Sequence, residues 1–139
     1  MNIFFTSVSH GKLGRQLNEI YMPMNRTLSQ QLGGRDYGPG LAKWFLLFIM
    51  LPPDVPGHDD PERIRFEKKN KAFDLRLHLS NDAFRTADEA GRKALVTACM
   101  MRSLDLIAAK NIPDFDIQAL KADVAAIADQ EGWTAALAG

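Results

Sequence analysis

The feature that most constrains this chain is an uninterrupted apolar run of eight residues, Trp44 to Leu51, which Pro52 and Pro53 end. A β-strand points alternate side chains to opposite faces, so a strand here would present large apolar side chains on both. Both faces then need cover, which predicts an interior strand over residues 42–51. The run is too short for a membrane span, which needs about 20 apolar residues. A buried helix fits it less well, because aromatic residues are frequent and prolines follow.

Composition places the chain among single-domain globular proteins. It has 139 residues, of which 46% are hydrophobic, enough for one core and too many for a disordered chain. Seventeen basic side chains balance seventeen acidic ones, so the net charge predicts no binding to nucleic acid or to an anionic membrane. The lone cysteine, Cys99, excludes an internal disulfide and lies on an apolar helical stripe, which predicts a packing role. No secretion signal is recognisable, so we expect one cytoplasmic domain over residues 1–139.

Alternating apolar and polar residues predict a β-hairpin after the central strand. Residues 63–69 and 72–80 alternate with period two on either side of a turn at Asn70-Lys71. The buried face of the second strand would carry Phe73, Leu75, Leu77 and Leu79. Together with a short strand near the N-terminus, this predicts an α+β fold with a mainly antiparallel sheet of three or four strands.

Helical spacing of apolar residues predicts three main helices, over residues 13–32, 88–110 and 116–131. Pro23 lies inside the first and removes a backbone donor, which predicts a kink or two shorter helices. Asp88 and Asp116 are the expected N-caps of the other two. These helices would pack on the apolar face of the hairpin, and the first would help to cover the central strand.

No pattern of catalytic or metal-binding residues occurs in the sequence. The three histidines, His10, His58 and His78, fall in a break, a loop and a strand, without zinc-ligand spacing. Gly38 and Gly40 follow a predicted helix and precede a strand, the reverse of a phosphate-binding glycine loop, so they predict a structural turn. The sequence therefore predicts a protein that is not an enzyme and holds no metal or cofactor.

Two charged surfaces are candidates for binding a partner. The polar face of the hairpin would carry Arg63, Arg65, Asp74, Arg76 and His78. Either an anionic ligand or cross-strand ion pairing would account for this set of charges. The last helix is acidic, and once Asp116 serves as a cap and Asp114 favours the helix dipole, three carboxylates are left. They belong to Asp123, Asp129 and Glu131.

Four short motifs follow one another along the chain. They are Tyr37-Gly38-Pro39-Gly40, Leu51-Pro52-Pro53 after the apolar strand, Lys69 with Asp74-x-Arg76-x-His78, and Arg102-Ser103-Leu104-Asp105. Their order and spacing resemble a family of small bacterial α+β immunity proteins from polymorphic-toxin systems. The resemblance covers roughly residues 37–127 and does not extend to the first 35. It implies a cytoplasmic, non-catalytic protein that binds and neutralises a cognate toxin.

The expected partner is therefore a toxin protein, with no nucleic acid and no membrane, and the expected state is a monomer or weak homodimer. The alternative is a non-catalytic small-ligand or adaptor module that holds an anionic partner on its sheet face. One docking surface would combine the aromatic Tyr37, as an interface anchor, with Arg65, Asp74 and Arg76. The other is the acidic helix with Asp123, Asp129 and Glu131, slightly favoured because acidic charge speeds capture of a basic toxin.

Overall fold

A β-sheet with helices packed on it forms the body of the protein. The computed structural model describes residues 2–7, 11–39, 44–50, 62–67, 69 and 72–134. In chain order the elements are β1 (Asn2–Ser7), α1 (Gly11–Leu32), β2 (Trp44–Met50), β3 (Arg63–Glu67), β4 (Ala72–His78), α2 (Asn81–Thr86), α3 (Glu89–Ala108) and α4 (Ile117–Gln130). The predicted α+β class is confirmed, and two expected features, the hairpin turn at Asn70-Lys71 and the loop that contains His58, lie outside the described residues.

The strand order is β1-β2-β4-β3, which places β2 inside the sheet as its apolar run requires. β2 pairs in parallel with both β1 and β4, and β3 pairs antiparallel with β4. The prediction of a mainly antiparallel sheet is therefore wrong, because the antiparallel part consists of the β3–β4 hairpin alone among the described strands. For β1 and β2 the physical reason is α1, because a helical crossover between two adjacent strands lets the chain re-enter the sheet in the same direction.

One face of the sheet carries the hydrophobic core. Phe73 and Leu75 on β4 are fully buried, and Leu77 is 1% exposed. They belong to one cluster with apolar residues of α1, α3 and α4, including Leu17, Leu28, Met100, Leu104, Leu120 and Val124. This confirms the predicted buried face and the predicted cover by the two C-terminal helices.

The first helix is continuous from Gly11 to Leu32 although it contains Pro23, so the expected split into two helices does not occur. Pro23 is exposed, and so is Glu19. In a regular helix the Glu19 carbonyl would accept a hydrogen bond from the amide of residue 23, which proline lacks. The carbonyl that proline leaves without a helical donor thus lies on the solvent side, where water can solvate it. The opposite side of α1 is buried, and the helix packs on β1 and also contacts α3 and α4.

Caps define the C-terminal helices as the sequence predicts. The carboxylate of Asp88 accepts a hydrogen bond from the Gly91 amide at 2.8 Å, and that of Asp116 accepts from the Ala119 amide at 3.0 Å. Each satisfies an amide that the first helical turn leaves without a partner. After α4, the chain turns back, and Trp133 is buried against the core with 5% of its surface exposed.

Candidate partner-binding surfaces

Tyr37 belongs to the loop after α1 and is 5% exposed. Its hydroxyl donates a hydrogen bond of 2.6 Å to Oδ2 of Asp123 on α4. The role of Tyr37 as an aromatic anchor for a partner stays a prediction; in the structure its ring lies inside the core and its hydroxyl is engaged. No periodic pattern constrains a loop residue, and its bonding partner is 86 positions away in the sequence.

Asp123 is the centre of a small polar cluster that fastens this loop to α4. Besides the Tyr37 hydroxyl, Nη1 of Arg35 contacts Oδ1 of Asp123 at 2.7 Å. Hydrogen bonds from the Tyr37 hydroxyl and from Arg35 hold the pKa of the Asp123 carboxyl below its usual value. Burial raises the pKa of the Tyr37 hydroxyl above the usual value for tyrosine. Both carboxylate oxygens of Asp123 are thus used within the fold, and partner binding by Asp123 stays a prediction.

Removing the Tyr37 hydroxyl tests this cluster. Tyr37→Phe deletes a hydrogen bond to a charged group and should lower the free energy of unfolding by about 1–2 kcal/mol at pH 7. The pKa of Asp123 is lower in the folded protein than in the unfolded chain, so this contribution is present above the ordinary aspartate range and is lost as pH falls through the folded value. Urea unfolding of both proteins should therefore give a difference at pH 7 that shrinks below about pH 4.

The matched control for that series is Asp129→Asn. Asp129 lies on the same helix and is exposed, so the substitution should change stability by no more than about 0.5 kcal/mol. A Tyr37→Phe variant as stable as wild type at pH 7 would show that the Tyr37–Asp123 bond does not hold the loop.

Two predicted acidic residues remain at the surface of α4. Asp129 and Glu131 are both exposed at its C-terminal end, while Asp116 serves as the cap. No basic residue lies in the last turn of this helix. The acidic surface is therefore smaller than the sequence indicates, with two of its three predicted carboxylates accessible.

The polar face of the hairpin assembles as the sequence predicts. Arg63 lies opposite Arg76, and Arg65 lies opposite Asp74, in the antiparallel register. Arg63 and Arg65 are exposed, and Nη2 of Arg63 is 3.9 Å from Oδ2 of Asp74. His78 follows on the same strand, and its backbone amide donates to Oε1 of Glu62 at 3.2 Å.

The motif Arg102-Ser103-Leu104-Asp105 on α3 is used to assemble the fold. Arg102 forms an ion pair with Glu62 at the start of β3, and Asp105 pairs with Lys121 of α4 at 2.5 Å. Leu104 is fully buried, and the hydroxyl of the buried Ser103 donates to the Met100 carbonyl. These contacts attach α3 to the hairpin on one side and to α4 on the other.

Glu62 was not among the residues that the sequence singles out. Burial opposes its charge, but the hydrogen bonds from Arg102 and from the His78 amide prevail and keep the pKa of Glu62 below its usual value. Glu62 lies directly before β3, where neither the helical nor the strand periodicity of apolar residues applies. Its partner Arg102 is 40 positions away in the sequence. A glutamate at the boundary of a strand is too common a feature to be recognised as a partner from sequence.

Cys99 packs as predicted. It is 5% exposed, and burial raises the pKa of its thiol to about 12. At neutral pH it is therefore a thiol, whereas the thiolate is the reactive nucleophile. Among the residues placed by the structure, no group of three or more histidine, cysteine or acidic side chains could hold a metal ion. Within the same residues, no helix has the length and apolar character needed to cross a membrane.

Comparison with known proteins identifies the family. No curated protein and no solved structure matches the chain. The family model described as Immunity protein 44 matches residues 1–130. The match confirms the resemblance to immunity proteins and extends it over the first 35 residues, which the four motifs leave out. The chain belongs to the Immunity protein 44 family.

Proposed function

We propose that this chain is a cytoplasmic immunity protein that binds a cognate bacterial toxin domain and neutralises it without catalysis. The observation that carries the proposal is the family match over residues 1–130, nearly the whole chain. Immunity proteins of polymorphic-toxin systems act by stoichiometric binding, so the required feature is a stable surface that fits the toxin.

The side-chain chemistry supports binding in preference to turnover. The one thiol is buried and protonated at neutral pH. The pKa values of Asp123 and Glu62 are lowered by partners that fasten elements of the fold together. A perturbed carboxyl in an active site would instead face a cleft with a second reactive group.

The proposed partner is a single toxin protein, with the chain itself a monomer or weak homodimer and without a nucleic acid or membrane ligand. The balanced charge of seventeen basic and seventeen acidic residues supports the absence of a polyanionic partner. The second candidate function, a non-catalytic module that holds a small anion on its sheet face, is favoured by the arginines of the hairpin. The two functions differ in the size and identity of the ligand.

The proposal predicts a toxin gene next to this one, and it is tested by expressing that toxin domain in a bacterial host, with and without the chain. We expect growth arrest by the toxin alone, recovery on co-expression, and a stable one-to-one complex in light scattering. Absence of both recovery and complex would overturn the proposed function. Calorimetric binding of inorganic phosphate or citrate, without toxin binding, would support the small-anion alternative.

A further inference from the structure

The sheet face opposite the helices carries a row of arginines. In the β3–β4 register, Ile64 pairs with Leu75 and Phe66 with Phe73, and these four positions belong to the core side. The intervening positions lie on the other side of the sheet, because strand side chains alternate between faces. They are Arg63 and Arg65 on β3, and Asp74 and Arg76 on β4. We call these four residues the arginine face.

The register of the hairpin places two of these positive charges next to each other. Arg63 and Arg76 lie directly opposite each other, and like charges at such cross-strand positions destabilise a sheet. Asp74 lies between these charges, and its Oδ2 is 3.9 Å from Nη2 of Arg63. The other oxygen, Oδ1 of Asp74, is buried and accepts no hydrogen bond from the described residues. Local conflicts of this kind are expected where a surface serves a function instead of the fold.

The alternative docking surface is the acidic side of α4, where one of the three predicted carboxylates already has partners within the fold. Asp123 accepts from Tyr37 and pairs with Arg35, which leaves Asp129 and Glu131 exposed on α4. The arginine face, by comparison, keeps Arg63 and Arg65 exposed on β3, at the edge of the sheet. Among the strands that the structure describes, β3 pairs with β4 alone, which leaves its other edge for an approaching protein.

We propose that the arginine face is the surface on which the toxin docks, and that the toxin presents an acidic patch to it; this inference rests on the proposed function. Guanidinium groups pair with carboxylates through two parallel hydrogen bonds, which gives both charge and geometric complementarity. Asp74 interrupts the positive charge, so the pattern suits a protein surface of mixed charge better than the uniform negative charge of a nucleic acid.

Charge reversal of the exposed pair tests the inference. The double variant R63E/R65E changes the charge of the face by four units, and R15E/R26E makes the same change on α1, where both arginines are exposed. Association with the purified toxin domain encoded next to this gene is followed by stopped-flow fluorescence at several salt concentrations. Because electrostatic steering contributes about 10-fold to 1,000-fold to association rates, R63E/R65E should associate at least about tenfold more slowly. The α1 variant should stay within about twofold of wild type.

A thermal melt shows whether charge reversal disturbs folding. If it does, the neutral variant R63Q/R65Q provides the second test, with an intermediate decrease in association rate expected. Equal association of wild type, R63Q/R65Q and R15E/R26E would overturn the inference while leaving the proposed function intact. A wild-type protein that does not bind the toxin would overturn the proposed function and the inference together.

A fluorescein-labelled single-stranded oligonucleotide serves as the second probe. We expect no saturable binding to the wild-type protein at physiological salt. If the oligonucleotide binds, if R63E/R65E abolishes that binding, and if toxin association is unchanged in the same variant, the arginine face would be a nucleic-acid surface and the inference would be overturned.

Discussion

Replacing Phe73 with alanine should lower the free energy of unfolding by about 3–5 kcal/mol, the cost typical of removing a fully buried phenylalanine. Phe73 is 0% exposed, in the middle of β4, and its ring centroid lies 4.8 Å from that of Phe66. The substitution removes the transfer free energy of the ring and leaves a cavity between β4 and the helices, which close packing prevents from collapsing fully. Urea denaturation followed by circular dichroism gives the difference directly.

Phe66→Ala is the matched control, because it deletes the same ring from the neighbouring edge strand. Phe66 is only partly buried, so its removal exposes less new apolar surface and leaves a site that water can fill. We expect a loss of about 1–2 kcal/mol. Equal, small losses for the two variants would contradict the position of β4 in the interior of the core.

Replacing Gly38 with alanine should also cost about 3 kcal/mol or more, by a backbone mechanism. Gly38 has φ of +99°, and a Cβ built there would lie 2.3 Å from the Asp114 carbonyl oxygen. A side chain in such a backbone conformation costs about 1–3 kcal/mol of strain, and the clash adds to it because the obstacle is main chain. The loop would have to move away from α4, which threatens the 2.7 Å hydrogen bond from the Asp116 amide to the Tyr37 carbonyl.

Gly34→Ala is the control for this prediction. Gly34 lies in the same connection between α1 and β2, but nothing lies within 4 Å of a Cβ built on it and its φ is not in the left-handed region. Alanine there should change the free energy of unfolding by less than about 1 kcal/mol, because its main effect is to restrict the conformations of the unfolded chain. If thermal unfolding gives the two alanine variants the same melting temperature, the close approach of Gly38 to Asp114 is not part of the native loop.

These two predictions differ in how much of their basis is visible in the sequence. The position of Phe73 on a buried strand follows from its period-two alternation with Asp74 and Arg76, and the structure confirms it. The glycines at 38 and 40 indicate a turn, but the reason for glycine at position 38 is a carbonyl 76 positions further along the chain. Local periodicity contains no information about such a contact.

The candidate binding residues also differ in how far the sequence predicts their positions. Arg65, Asp74 and Arg76 share one sheet face because alternation places them there, whatever the rest of the chain does. Tyr37 and Asp123 were predicted to be accessible on separate surfaces, and the structure joins them in one hydrogen bond. Whether a polar side chain is available to a partner depends on neighbours distant in sequence.

The sequence by itself determined the interior position of the apolar strand, the buried face of β4, the caps of α3 and α4, and the packing role of Cys99, because each follows from backbone periodicity or from the next few residues. Only the tertiary structure decided the direction of the strands, the engagement of Asp123 and the contact of Glu62 with Arg102. The direction of β2 relative to β1 depends on how α1 returns the chain to the sheet. Long-range hydrogen bonds and ion pairs form between whichever polar groups packing brings within about 3 Å.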